Sequence, residues 1–315
     1  MMLDLAIASQ ILWTSFATSS YFVLFALAFA LVLKVNKVFN FAQAAIMSVA
    51  FYCAYVAVRV LGLNGFFGLI ACFAGGIATA IAIEYFGFAK LRTRKASPMF
   101  VFIFTLIVSQ FVSYVLMLIF GTWPTTIFPT MFWPVSLVGG IAISAWDLPA
   151  LAAMATVLVL LWAFLRFTRW GQFMIAVADN ADLAELYGIK KDRVMLVSMA
   201  IAGAICAVGM FLYGTRAQVQ PSAATELMLF AVAATIIGGI GNLWGAALAA
   251  VVLGLVQNSS ILFIPSAWQG FMLYAFLFLA IVLFPRGFHW PERASKLKRK
   301  TVTTLPASPS EANGG

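Results

Sequence analysis

The chain is a succession of apolar runs, most of them long enough to cross a lipid bilayer. They cover residues 5–33, 41–61, 66–89, 99–120, 148–165, 194–213, 227–240, 243–262 and 271–284. A hydrocarbon core about 30 Å thick takes roughly 20 residues of helix, and in lipid each segment must satisfy its own backbone hydrogen bonds. A membrane barrel would alternate apolar and polar residues, which these runs do not. The expectation is an all-α fold, a polytopic transmembrane helical bundle of eight or nine spans. The count turns on 227–240, which is short for a full crossing and reads either as a span or as a broken, re-entrant helix. With 64% hydrophobic and 9% charged residues, the chain has too little polar surface for a soluble domain. The first run is too long, and too weakly preceded by positive charge, for a cleaved signal peptide.

A net charge of +9 would suit nucleic acid, but the basic residues sit in short segments beside apolar runs, where they orient helices. No nucleic-acid partner is expected. Lys90, Arg92, Arg94 and Lys95 form one cluster, and Arg166, Arg169, Lys190, Lys191 and Arg193 bracket another. Arg286, Arg293, Lys296, Lys298, Arg299 and Lys300 form a third. All three are expected in the cytoplasm, with Lys34 and Lys37, which leaves the N-terminus outside. Residues 291–315 read as a basic, disordered cytoplasmic tail. Residues 121–147, rich in Trp, Pro and Thr, read as an external interfacial loop.

Little here resembles a reaction centre. His289 is the only histidine, and Cys53, Cys72 and Cys206 lie in apolar runs without ligand spacing, so they read as packing residues. No cofactor, metal or catalytic residue is expected, and the sequence has no Gly-x-x-x-x-Gly-Lys-Ser/Thr phosphate loop. The runs hold no clear mid-span carboxylate. Glu84 lies about two turns from Lys90 and is expected to reach water there. Glu226 and Arg216 read as solvated residues flanking an external segment.

The most informative segment is the polar loop 166–193. Ala178, Asp179, Ala181, Asp182, Ala184 and Glu185 favour a helix start and Gly188 a helix end, which predicts a short amphipathic helix. Asn40 and Gln43 are three apart and are expected to share a helix face, serving a pathway or, more commonly, interhelical packing. Gly238, Gly239, Gly241 and Gly245, with Thr235 and Asn242 alongside, permit a helix break on a pathway or, again more commonly, close packing.

Three stretches in order carry a family resemblance. ADNADLAELYGIKKDRVMLVSMAIAGAICAVGMFLYG resembles the cytoplasmic loop and following helix of LivH-type branched-chain amino acid ABC permeases. FALAFALVLKVNKVFNFAQAAI is similar to the family's first helix and Asn-Phe-Ala signature, and AATIIGGIGNLWGAALAAVVLGLVQN to its Gly-Gly-x-Gly segment. The resemblance implies a permease domain over 1–290 in the bacterial inner membrane, without enzymatic activity of its own. It implies two cytoplasmic ATP-binding subunits, a second related permease and a periplasmic solute-binding protein as partners. Lipid surrounds the whole.

Such permeases dock a short helix on the ATPase, often bearing Glu-Ala-Ala-x-x-x-Gly. Its spacing maps onto Asp182, Leu183, Ala184 and Gly188, so the resemblance makes Asp179, Asp182, Ala184, Glu185 and Gly188 the coupling helix. It leaves Asn40, Gln43, Thr235, Gly238, Gly239 and Gly241 as the candidate translocation pathway. Relatives commonly read Asn-Phe-Ala-His-Gly-Glu where this chain reads Asn40-Phe41-Ala42-Gln43-Ala44-Ala45, so the ionisable members are gone. The implied cargo is a branched-chain or hydrophobic amino acid or a similar small solute. The alternative is a stand-alone secondary transporter of a small neutral organic solute.

Overall fold

The computed structural model describes residues 2–128, 134–138 and 141–260, with isolated positions beyond. The tail and most of the last apolar run, 271–284, lie outside the described residues. The helices are α1 (Met2–Asn36), α2 (Gln43–Tyr55), α3 (Gly65–Ala82), α4 (Ala89–Thr93), α5 (Pro98–Phe120), α6 (Asp147–Phe167), α7 (Arg169–Asp179), α8 (Ala181–Leu186), α9 (Lys191–Arg216), α10 (Ala223–Gly238) and α11 (Leu243–Ser260). A π-helical turn, Val56–Val60, extends α2, and another, Ile83–Phe88, joins α3 to α4. Among the described residues, seven continuous helical stretches are long and apolar enough to cross a membrane, while Ala223–Gly238 is apolar but shorter. The protein is a polytopic helical membrane protein, and these eight stretches coincide with the first eight apolar runs.

The fold is built around α1, which is buried from Ala17 to Val35 apart from half-exposed Lys34 and packs against α6, α9, α10 and α11. A helix apolar on every face is stable only when surrounded. The hydroxyls within it are returned to their own helix: Ser19 donates to the Ser15 carbonyl (2.7 Å) and Ser20 to that of Ala17 (2.7 Å). In contrast, α3, α5 and α6 present large apolar side chains outward, among them Phe67, Ile107, Phe111, Leu118 and Leu160. Exposed apolar surface on this scale is what a lipid solvent permits. Lys34, Arg92, Arg166 and Lys191 gather at one end of the bundle, here termed the basic end.

Two helices begin inside the bundle rather than at its surface. After Asn36 the chain reverses at Lys37 (φ 55°) and runs back along α1 without helical form. Phe39 stands beside Phe29, with ring centroids 6.3 Å apart, and the Gln43 Nε2 donates to the Phe25 carbonyl (3.2 Å). That contact lies about three turns, or some 16 Å, inside the end of α1. From the opposite end, residues 217–222 leave α9 extended, pair once with Thr125 through Val219, and reach Pro221. The Pro221 carbonyl accepts from Ser48 of α2 (3.3 Å) and Ser113 of α5 (3.1 Å). Pro221 has no N–H to leave unsatisfied at that depth, and α10 starts two residues on, at Ala223. The consequence is that α2 and α10 run antiparallel and in contact, each opening within the membrane depth.

The described residues between 121 and 146 hold more regular structure than an interfacial loop would. Val135–Val138 (β1) and Ile141–Ser144 (β2) pair antiparallel, a small addition to an otherwise helical fold. Trp123 is exposed as a headgroup-seeking tryptophan should be, but Trp146 is buried. Its indole N–H donates to Thr215 Oγ1 (3.0 Å), and the Arg216 guanidinium lies over its ring (4.8 Å) while pairing with Asp147 (3.5 Å). Arg216 is therefore part of a clasp between α6 and α9. The expectation of simple solvation is corrected because a cation has both an aromatic face and a carboxylate within reach.

Candidate functional site

The two interior helix starts leave backbone groups without helical partners at membrane depth, where such groups are tolerated only if protein supplies the bonds. One face of α5 supplies them. Its buried residues are Val101, Thr105, Ser109, Ser113 and Leu116, four apart or nearly so, and hence on one face. Thr105 Oγ1 donates to the Phe102 carbonyl of its own helix (2.7 Å) and stands 3.5 Å from that of Phe39, Ser113 donates to the Pro221 carbonyl, and Ser109 lies between them, its hydroxyl without a partner among the described residues. A neutral polar seam thus follows α5 past the unwound stretch before α2 to the stretch before α10. Sequence reasoning missed these three hydroxyls, although Thr-x-x-x-Ser-x-x-x-Ser in an apolar run was a readable signal.

Asn40 and Gln43 sit on this seam, both 1% exposed. They do not share a helix face: Asn40 precedes α2 in a turn, and Gln43 is its first residue. The Asn40 Nδ2 contacts the Met199 sulfur (3.6 Å) while its Oδ1 has no partner among the described residues. Thr235 of α10 converges on the same level of α1: its hydroxyl donates to the Ala231 carbonyl of its own helix (2.8 Å) and stands 3.5 Å from the Ala26 carbonyl, next to the Phe25 carbonyl that Gln43 engages. The glycines lie elsewhere. Gly239 (φ 97°) and Gly241 (φ 90°) form the turn between α10 and α11 at the basic end. A Cβ on Gly238 or Gly245 would overlap the backbone of the other. They build a tight helical hairpin rather than a broken helix, because neither chain can approach so closely with a side chain between.

The loop 166–193 folds into two helices, not one. Thr168 caps α7 by accepting from the Gly171 N–H (3.0 Å), and α7 buries Met174, Val177 and Ala178 on one face. Asn180 is extended and caps α8, its Oδ1 accepting from the Leu183 N–H (3.0 Å). Asp179 is consequently the last residue of α7 rather than part of a helix start, and Asp182, Ala184 and Glu185 are the ones within α8. At its end the Ile189 N–H bonds the Ala184 carbonyl (3.1 Å) and the Gly188 N–H that of Glu185 (2.9 Å), with Gly188 at φ 82°. This is the paired-bond helix stop that glycine favours. Ala184 faces inward, whereas Leu183, Leu186 and Tyr187 are 50%, 84% and 81% exposed.

A polar network links this region to the bundle. Glu84 does not reach for water: it is 1% exposed, lies in the π-helical turn, and pairs with Arg92 (2.6 Å). Asn36 Nδ2 approaches its other oxygen (3.4 Å) and accepts from Ser198 of α9 (2.7 Å) at Oδ1. Arg92 also pairs with Asp192 (2.9 Å), just past α8. The π turn carries the carboxylate toward Arg92 and the end of α1, which overturns the expectation of a solvated boundary residue.

The model of the branched-chain amino acid transport system permease component matches residues 11–281. The chain belongs to this permease family. It is 25% identical to the high-affinity branched-chain amino acid transport system permease protein LivH of Escherichia coli, over 88% of this chain and 94% of that one. A probable branched-chain amino acid transport permease protein LivH of Methanocaldococcus jannaschii is 23% identical over 84% and 85%. The xylose transport system permease protein XylH of Haemophilus influenzae is 31% identical over a shorter region, 42% of this permease and 38% of that one. Membership in the family accounts for a bundle of apolar helices with no metal-binding cluster among the described residues.

Proposed function

We propose that this permease is the membrane subunit of an ATP-driven importer in a bacterial inner membrane, with its basic end in the cytoplasm. The carrying observation is α8. A helix capped at both ends projects Leu183, Leu186 and Tyr187 into solvent beside Asp182 and Glu185, and no described residue of the permease covers them. Rigid apolar side chains rimmed by carboxylates form a surface for another protein. The ATP-binding subunits, two per complex, dock there, and they alone hydrolyse ATP. A second, related permease and an external solute-binding protein complete the assembly. The Glu84–Arg92–Asp192 network passes motion at α8 to α1, α3 and α9.

Residues 1–290 form the transport domain and 291–315 a cytoplasmic tail, with the N-terminus outside. The pathway runs along the seam at Asn40, Gln43 and Thr235, extended here to Ser109. The hairpin glycines Gly238, Gly239 and Gly241 border it from the cytoplasmic end. A seam of hydroxyls and carboxamides suits a small solute without net charge. The names of the relatives favour branched-chain amino acids, with sugars such as xylose as the second class.

The test replaces exposed side chains only. Leu186→Asp with Tyr187→Ala is expected to abolish copurification with the ATPase subunit and solute-stimulated ATP hydrolysis, leaving membrane insertion and thermal stability unchanged. Intact copurification and stimulation in that variant overturn the docking role. Solute uptake by the permease alone in ATPase-free proteoliposomes would make it a secondary transporter instead.

A further inference from the structure

At the basic end a cavity of about 280 Å³ lies between α1, α6, α7 and the start of α11. Its lining includes Lys34, Trp162, Arg166, Met174, Asn242 and Trp244. The lining contains two cations and no carboxylate. Among the described residues neither Lys34 nor Arg166 enters an ion pair; Arg166 only lies over the rings of Trp162 (5.4 Å) and Phe167 (5.9 Å). Lys34 is half-buried in a lining that is otherwise largely apolar. A cation in that setting is stabilised by an anion that brings its own apolar body.

The setting also indicates where that anion comes from. Trp162 and Trp244 are 40% and 49% exposed, on the outward faces of α6 and α11. Tryptophans pointing outward beside Lys and Arg at helix ends mark the headgroup layer. Toward the middle of the bundle, the same two helices continue with exposed Val159 and Leu160 on one side and Leu248 and Val252 on the other. An apolar track therefore leads away from a basic cavity along the direction of an acyl chain.

We infer that this cavity is a binding site for an anionic phospholipid of the leaflet at the basic end, its phosphate between Lys34 and Arg166 and one acyl chain along α6 and α11. The site requires only that the protein span a bilayer, so it stands or falls separately from the importer reading. Because it joins α1, α6, α7 and the α10–α11 hairpin, the lipid would brace the helices that carry α8.

The intact protein, purified in mild detergent and placed in nanodiscs, provides the test. Native mass spectrometry is expected to find phosphatidylglycerol retained in preference to phosphatidylcholine. The Lys34→Gln/Arg166→Gln variant should lose one retained lipid per permease, with affinity reduced on the order of tenfold. Lys34→Arg/Arg166→Lys, which keeps both charges, should retain it, and Arg59→Gln should leave it unchanged. Equal retention in the charge-removed variant, or no preference for phosphatidylglycerol in the wild type, overturns the site. So does a disulfide from Trp244→Cys to a second permease, or to a cysteine placed in 271–284, formed without loss of lipid-dependent stability.

Discussion

Glu84 shows how much one side chain can alter the reading of a helix. In the run 66–89 it is a carboxylate near a helix end, with water the nearest solution to its charge. In the fold it is enclosed, with Arg92, Asn36 and, through Asn36, Ser198 around it. Removing one member of a buried pair strands the other, which costs about 3–5 kcal/mol, more than removing both. Arg92→Ala is therefore expected to lower the thermal unfolding midpoint in detergent markedly. Glu84→Gln should lower it less, and the Glu84→Gln/Arg92→Ala double variant should recover most of the loss. A double variant less stable than Arg92→Ala alone would deny the pairing its role. Gln43 and Thr235 teach a related lesson: each was legible as a polar residue in an apolar run, but only packing brings them to adjacent carbonyls of α1, Gln43 as a donor and Thr235 alongside.

At the scale of elements, the helices that matter most are those that begin or stop in unusual places. Both α2 and α10 open inside the bundle; the freed carbonyl of Pro221 is met by hydroxyls from α2 and α5, and Thr105 of α5 stands beside that of Phe39. The shortness of the run 227–240 was the trace of this in sequence, since an extended stretch supplies the rest of the crossing. The α10–α11 hairpin closes because Gly238 and Gly245 bring backbones together. Gly245→Leu is expected to force them apart and cost about 1–3 kcal/mol or more, read as lost yield of monodisperse protein and a lower unfolding midpoint. Val256→Ala, at an exposed position of the same helix, should change either measure little. For α8 the sequence was more generous: Asp182 suits a first helical turn and Gly188 a helix stop by chemistry, and the fold uses them so. The break at Asn180 that assigns Asp179 to α7 was not legible, because both sides of it favour helix.

For the whole molecule, the proposed orientation puts Leu186 and Trp123 on opposite sides of the membrane. Both are more than four-fifths exposed. In a cysteine-free background, Trp123→Cys should react with an impermeant maleimide on intact cells, and Leu186→Cys only after permeabilisation. Labelling of both from one side would refute that orientation. Run length and charge placement alone determined that the chain is a multi-span helical membrane protein, because the bilayer imposes a length on each segment and a requirement for internal hydrogen bonding. Motif spacing also marked the helix around Ala184. Tertiary structure alone decided which polar residues meet, that two helices start at depth, that Arg216 and Glu84 are paired, and that Lys34 and Arg166 share a cavity. Those outcomes depend on contacts between segments far apart in sequence, and in a chain that is apolar nearly throughout, periodicity carries little information about which face meets which neighbour.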